Sequence, residues 1–109
     1  MKTGLLALAV GAIISTSAFA ETKIGMITTL SGGGAGLGID VRDGFMLAIA
    51  QSGRDDIEVI IEDDQQKPDI AVQLTDKMIQ SEDVDIMTGI IWSNLAMAVL
   101  INKIGRAHV

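Results

Sequence analysis

Residues 23–52 pass from an apolar stretch, through five glycines in eight residues, into a helical repeat, and few folds accommodate that order. Lys23-Ile24-Gly25-Met26-Ile27-Thr28 has the near-continuous apolar character of a parallel strand buried on both faces. The segment Ser31-Gly32-Gly33-Gly34-Ala35-Gly36-Leu37-Gly38 follows. Glycine accepts positive φ and carries no Cβ, so such a turn lets backbone come close to another group. Leu37, Val41, Phe45, Ala48 and Ile49 then recur at three- and four-residue steps, which predicts the buried face of a helix. Arg42, Asp43 and Gln51 fall on its wetter side. Ser52-Gly53 stops the helix, because Gly is the usual residue just past a helix end. A glycine turn between a buried strand and a helix lies at the carboxyl edge of an α/β sheet, where open sheets bind ligands.

The rest of the chain repeats this unit without the glycines. Residues 57–61 read as a second strand running into Glu62-Asp63-Asp64. Pro68 suits the first turn of the next helix, where its missing N–H would be unpaired anyway. Ile70 or Ala71, Leu74 and Met78 form that helix's buried stripe, while Asp69, Gln73, Asp76, Lys77 and Gln80 stay wet. Residues 84–91 carry the third strand, and Trp92-Ser93-Asn94 follow it. Residues 95–101 are apolar all round, which predicts a helix buried on most sides. The order βαβαβα with short connections calls for a parallel sheet with right-handed crossovers. The expected fold class is therefore α/β, half of a doubly wound parallel-sheet lobe. Its first strand should lie between the second and third, leaving the third as an open edge.

Residues 1–20 are expected to be a signal peptide rather than part of the fold. Lys2 supplies a basic start, residues 5–14 form an apolar core broken only by Gly11, and Ala18-Phe19-Ala20 is a small-x-small cleavage site. Cleavage after Ala20 leaves a mature chain starting at Glu21. The apolar core is too short for a spanning helix, which needs about 20 residues. The chain has no cysteine, so it forms no disulfide and cannot be lipid-anchored at the cleavage site. A soluble protein of the Gram-negative periplasm is the expected product. The formal charge is −6, and −7 once Lys2 leaves with the leader, which disfavours nucleic acid and anionic lipid as partners.

Residues 21–103 are expected to form one small domain, or part of one. The tail Ile104-Gly105-Arg106-Ala107-His108-Val109 back-translates as ATC GGA AGA GCA CAC GTC, the start of a common short-read sequencing adapter. The native sequence is accordingly expected to stop near Lys103, which leaves His108, the only histidine, without a role.

The glycine turn does not fit a nucleotide site. In the dinucleotide fingerprint, Gly34 and Gly36 are followed by Ile39 where a third Gly is needed. In the phosphate loop, Gly33 and Gly38 fit, but Ile39-Asp40 replaces the Lys and hydroxyl. Asp63 and Asp64 could bind a ribose or a cation, or be solvated loop residues. No Cys/His cluster offers a metal site, no cofactor is implied, and no catalytic residue is visible. Ser93 follows a strand end and opens a helix, so it reads as an N-cap. Its hydroxyl and the following N–H groups could hold a carboxylate, which helix N-termini favour. Trp92 beside it could floor a cleft or cover the sheet edge.

Lys23-Ile24-Gly25 with Leu30-Ser31-Gly32-Gly33, Glu62-Asp63-Asp64 before Pro68, and Gly89 with Ser93 together resemble one family. It is the branched-chain amino-acid-type periplasmic substrate-binding proteins of ABC transporters, and the resemblance covers the amino-terminal part of such a protein, to about Lys103. It implies a type I periplasmic binding fold of two α/β lobes that close over an amino acid or related small carboxylate. It implies delivery of that ligand to an ABC permease in the inner membrane, and no enzymatic role. The implied first-lobe contacts are Ser31, Gly32, Gly36 and Leu37 after the first strand, and Trp92, Ser93 and Asn94 after the third. Leu37 stands where some members present an aromatic residue, so aromatic and other small carboxylates are as admissible as leucine. The rival expectation is a fragment of a Rossmann-like nucleotide-binding enzyme.

Overall fold

The computed structural model describes residues 21–107, so the expected signal peptide and the last two residues lie outside it. The elements alternate as β1 (Thr22–Thr28), α1 (Ala35–Ser52), β2 (Ile57–Asp63), α2 (Pro68–Gln80), β3 (Ile86–Thr88) and α3 (Ser93–Ala107). The three strands form one parallel sheet in the order β2-β1-β3, with the first strand central as the sequence implies. β1 pairs with β2 from Thr22 opposite Ile57 to Thr28 opposite Asp63. It pairs with β3 only from Ile24 opposite Ile86 to Met26 opposite Thr88. Because β1 is covered on both faces, Met26 and Ile27 are fully buried. The edge strand β2 is half-buried along its whole length.

The chain steps from β1 to β2 in one direction and then crosses back past β1 to reach β3. With right-handed crossovers, that reversal puts α1 on one face of the sheet and α2 on the other. There α2 packs against α3, with Ala71, Met78 and Leu95 at 0% exposure. Lys103 of α3 also pairs with Asp76 of α2 at 3.4 Å. Pro68 opens α2 and Gly53 closes α1 in a left-handed conformation, both as the sequence predicts. Among the described residues no helix is long and apolar enough to cross a membrane.

Four expectations are corrected. Of the expected α1 stripe, Phe45 and Ile49 do face inward, but Leu37, Val41 and Ala48 do not. The inward face runs through Ala35, buried Gly38, and half-covered Arg42, Phe45 and Ile49, leaving Leu37 58% and Val41 37% exposed. Gly38 sets that rotation, because a Cβ there would run into the backbone carbonyl of Thr29, so only Gly can face the end of β1. On α2 the expected Met78 and the Ala71 alternative are buried, but Thr75 joins them where Leu74 was expected, with Ile70 and Leu74 only half-covered. The third strand is three residues long rather than eight, since Gly89 turns out of the ladder at φ 102. Helix α3 begins at Ser93 and continues to Ala107. It is buried only on its α2 side, with Met97, Leu100 and Ile101 each more than half exposed, because α2 is what packs on it.

Candidate functional site

The reversal of chain direction falls between β1 and β3, so the segments leaving their carboxyl ends flank a switch point of the sheet. Thr29 and Leu30 leave β1, the turn 31–34 follows, and α1 starts at Ala35. On the other side, residues 89–92 lead from β3 into α3. The expected ligand contacts lie on these two segments and on the first turns of α1 and α3 that they enter.

The adjoining end of β2 locks this crest. Asp64 is fully buried, and its Oδ1 accepts the Thr29 hydroxyl at 2.5 Å and the Gln66 N–H at 2.8 Å. Its own N–H donates to the Thr28 carbonyl at 3.0 Å, while its Oδ2 is buried without a partner among the described residues. Asp63 Oδ1 accepts the Leu30 N–H at 2.8 Å and the Gln65 N–H at 2.9 Å. The reading of solvated loop acids is corrected for Asp64, which is fully buried, and both carboxylates hold loop backbone in place. Among the described residues no group of three or more His, Cys, Asp or Glu could hold a metal. Gln65 and Gln66 adopt left-handed φ of 54 and 60, and each has its N–H held by the aspartate two residues earlier. Burial by itself would raise the Asp63 pKa. The Ser31 hydroxyl and the backbone N–H groups of Leu30, Gln65 and Ser31 together outweigh it and hold the carboxyl below its ordinary value.

Trp92 joins the two sides. Its indole N–H donates to the Thr29 hydroxyl at 2.8 Å, and the ring is half-buried. A Cβ at Gly34 would stand 2.7 Å from Trp92 Cζ2 and 2.9 Å from Gln66 Oε1, so the glycine leaves room for the indole and the amide to lie against the turn. Trp92 thus covers the end of the sheet and walls the crest at once. Ser31, Gly32, Gly36, Leu37, Ser93 and Asn94 are all exposed around it, and no neighbour lies within 4 Å of a Cβ built at Gly36. The Trp92 carbonyl accepts the first helical bond of α3, from Ala96 N–H at 3.0 Å. This corrects the role of Ser93, which is the first residue of the helix rather than its N-cap, and its hydroxyl is not spent on capping.

The charge pattern of the helix starts is uneven. Helix α1 begins after Gly34 without a side-chain cap and, like α3, has no acidic residue in its first turn. Helix α2, away from the switch point, carries Asp69 there. Helix N-termini carry partial positive charge. The two starts at the switch point are therefore free to face an anion, whereas α2 has its own acid. Thr29 and Gln66 were not singled out in the sequence, since no spacing rule joins them to a tryptophan 63 and 26 positions further on. A cavity of about 380 Å³ lies along β3 between Thr75 and Ile79 of α2 and Val99 and Lys103 of α3. Met87, Thr88, Gly89 and Ile90 also line it, so it reaches from the unpaired edge of β3 into the segment that leads to α3.

A parallel α/β sheet with a glycine turn and two helix starts at its switch point has the layout in which open α/β sheets bind ligands. The family model described as periplasmic binding protein matches residues 21–106, and the chain belongs to that family. Its structural neighbours are ABC-transporter substrate-binding proteins, as the sequence resemblance implies. One, from Sphaerobacter thermophilus, is 32% identical with a TM-score of 0.74, covering 78% of this chain and 24% of its own. A solute-binding protein from R. palustris in complex with benzoate is 35% identical with a TM-score of 0.68, covering 81% and 25%. An ABC-type branched-chain amino acid transporter protein from Rhodopseudomonas palustris is 29% identical with a TM-score of 0.70, covering 80% and 25%. The chain thus spans about a quarter of the length of the solved structures it matches. No curated protein sequence matches it.

Proposed function

We propose that this chain is the amino-terminal part of the first lobe of an exported solute-binding protein that captures an amino acid or related small carboxylate. The observation that carries the reading is the meeting of Trp92 with the glycine turn, through Thr29 at 2.8 Å and across Gly34, at the switch point of the sheet. Ser31, Gly32, Gly36 and Leu37 on one side, and Trp92, Ser93 and Asn94 on the other, are the ligand contacts. The Ser93 hydroxyl and the first N–H groups of α1 and α3 hold the carboxylate, which favours helix N-termini. Benzoate in one neighbour and branched-chain amino acids in the description of another support both ligand classes.

Capture is non-catalytic. A second lobe closes on the ligand by hinge motion, and the closed form delivers it to an ABC permease in the inner membrane. Membership of a binding-protein family weighs against the rival nucleotide-using enzyme. Residues 1–20 direct export and are removed after Ala20, so amino-terminal sequencing of the periplasmic form should begin at Glu21. A chain that retains Met1 in the cytosol would contradict this.

The binding test is calorimetric titration of the longer protein, recovered from the source DNA, with benzoate, leucine, phenylalanine and NAD. Micromolar binding of a carboxylate is expected, and binding of NAD alone would overturn the reading. The same DNA decides whether codons 104–109 belong to the gene.

A further inference from the structure

Three buried or half-buried groups from three different turns form one hydrogen-bond chain at the crest. We propose that Thr29 and Asp64, which no ligand can reach, are positioning residues that fix the indole of Trp92 as a rigid wall of the binding cleft. The proposal rests on the binding reading above.

Proton count fixes the direction of this chain. A threonine hydroxyl has one proton and two lone pairs. The Thr29 proton is committed to Asp64 Oδ1 at 2.5 Å, so toward the indole the hydroxyl can only accept, and it accepts Nε1–H at 2.8 Å. Asp64 cannot turn away, because the same oxygen also holds the Gln66 N–H at 2.8 Å and the residue is fully buried. The donors therefore all run one way, from Trp92 to Thr29 to Asp64, with Gln66 converging on the same carboxylate. The same edge of the indole also lies against the turn, since Cζ2, two bonds from Nε1, would stand 2.7 Å from a Cβ at Gly34. A tryptophan has two side-chain torsions. Held along that edge, the indole has less rotational freedom to lose when a ligand closes on it. Thr29 and Asp64 are both at 0% exposure, so any effect they have on a ligand passes through Trp92.

The test reads the indole N–H of Trp92 by 1H–15N spectroscopy in the longer protein, assigned by its disappearance in Trp92→Phe. In the unaltered protein this proton should exchange slowly with solvent, and fast exchange overturns the proposal whether or not any variant folds. Thr29→Val should shift the resonance and speed its exchange, and should weaken benzoate or leucine binding by about tenfold. Thr29→Ser, which keeps the hydroxyl, should restore both. An unchanged indole resonance in Thr29→Val, or no rescue by serine, overturns the proposal. If the unaltered protein binds neither benzoate nor leucine, the binding reading itself falls. A loose indole in a protein that does bind them removes the positioning proposal alone.

Discussion

Gly38 faces Thr29 so closely that a Cβ at position 38 would collide with the carbonyl oxygen of residue 29. Helix α1 is therefore seated on the end of β1 by backbone against backbone. Gly34, one turn earlier, faces side chains instead, the indole of Trp92 and the amide of Gln66. One glycine orients the helix on the strand, and the other lets the crest close over the turn.

This difference predicts unequal costs for the same substitution. Gly34→Ala meets groups that can shift, so it should destabilise by about 1–3 kcal/mol, the usual range for overpacking, and displace the indole. Gly38→Ala meets backbone that cannot step aside and should exceed that range. Urea melts of the two variants of the longer protein measure the ranking, and indole fluorescence should change more in Gly34→Ala than the melt suggests. The reverse ranking would mean that α1 is not seated as described.

Ser93 is the first residue of α3 and does not cap it, so its two possible roles separate cleanly. If its hydroxyl binds a carboxylate, Ser93→Ala loses a hydrogen bond to a charged group, about 1.5–3 kcal/mol, and weakens binding roughly 10- to 150-fold. Stability should change by no more than about 0.5 kcal/mol, as for a surface substitution. Calorimetric titration and a urea melt of the same variant give both numbers.

Asp63 predicts a pH dependence whose sign follows from its lowered pKa. A carboxyl that is more acidic in the folded state adds stability that is fully present above the unfolded value, about 3.9. That stability is lost as the pH falls through the lower folded value. Melts of the unaltered longer protein should thus be insensitive to this group between neutrality and about pH 5, and fall in acid below about pH 4. Asp63→Asn keeps an oxygen for the Leu30 and Gln65 N–H groups and should show a shallower acid loss.

Residues 21–109 made alone should associate rather than behave as a stable monomer. β3 is paired on one side only among the described residues, Ile86 on it is 53% exposed, and Met97, Leu100 and Ile101 of α3 are each more than half exposed. An unpaired apolar edge is a template for further strands. Size-exclusion chromatography should show oligomers or aggregate, reduced by Ile86→Lys, and titration should show no tight amino-acid binding. A monomer with a cooperative melt and micromolar affinity would contradict the reading of this chain as part of a lobe.

Much of this architecture is determined by the sequence alone, because it depends on neighbours along the chain. The apolar run of β1, the start of α2 at Pro68 and the stop of α1 at Gly53 are local matters of periodicity and backbone freedom. Their alternation leaves a parallel sheet with β1 at its centre as the natural arrangement. The glycine turn could be placed at the carboxyl edge of the sheet for the same reason. Tertiary structure decided what depends on distant partners. The rotation of α1 followed from a contact between Gly38 and the end of another element, so periodicity alone placed Phe45 and Ile49 but chose Leu37 and Val41 where Gly38 and Arg42 face inward. β3 is short because pairing is a property of two strands, and Gly89 leaves the ladder after three residues. Asp64 looked like a loop acid until Thr29, 35 residues away, proved to be its partner. Trp92 acquired a fixed place only through that same hydroxyl, 63 residues before it. Burial and hydrogen bonding are settled by what the fold brings together, and at this crest it brings together the ends of all three strands.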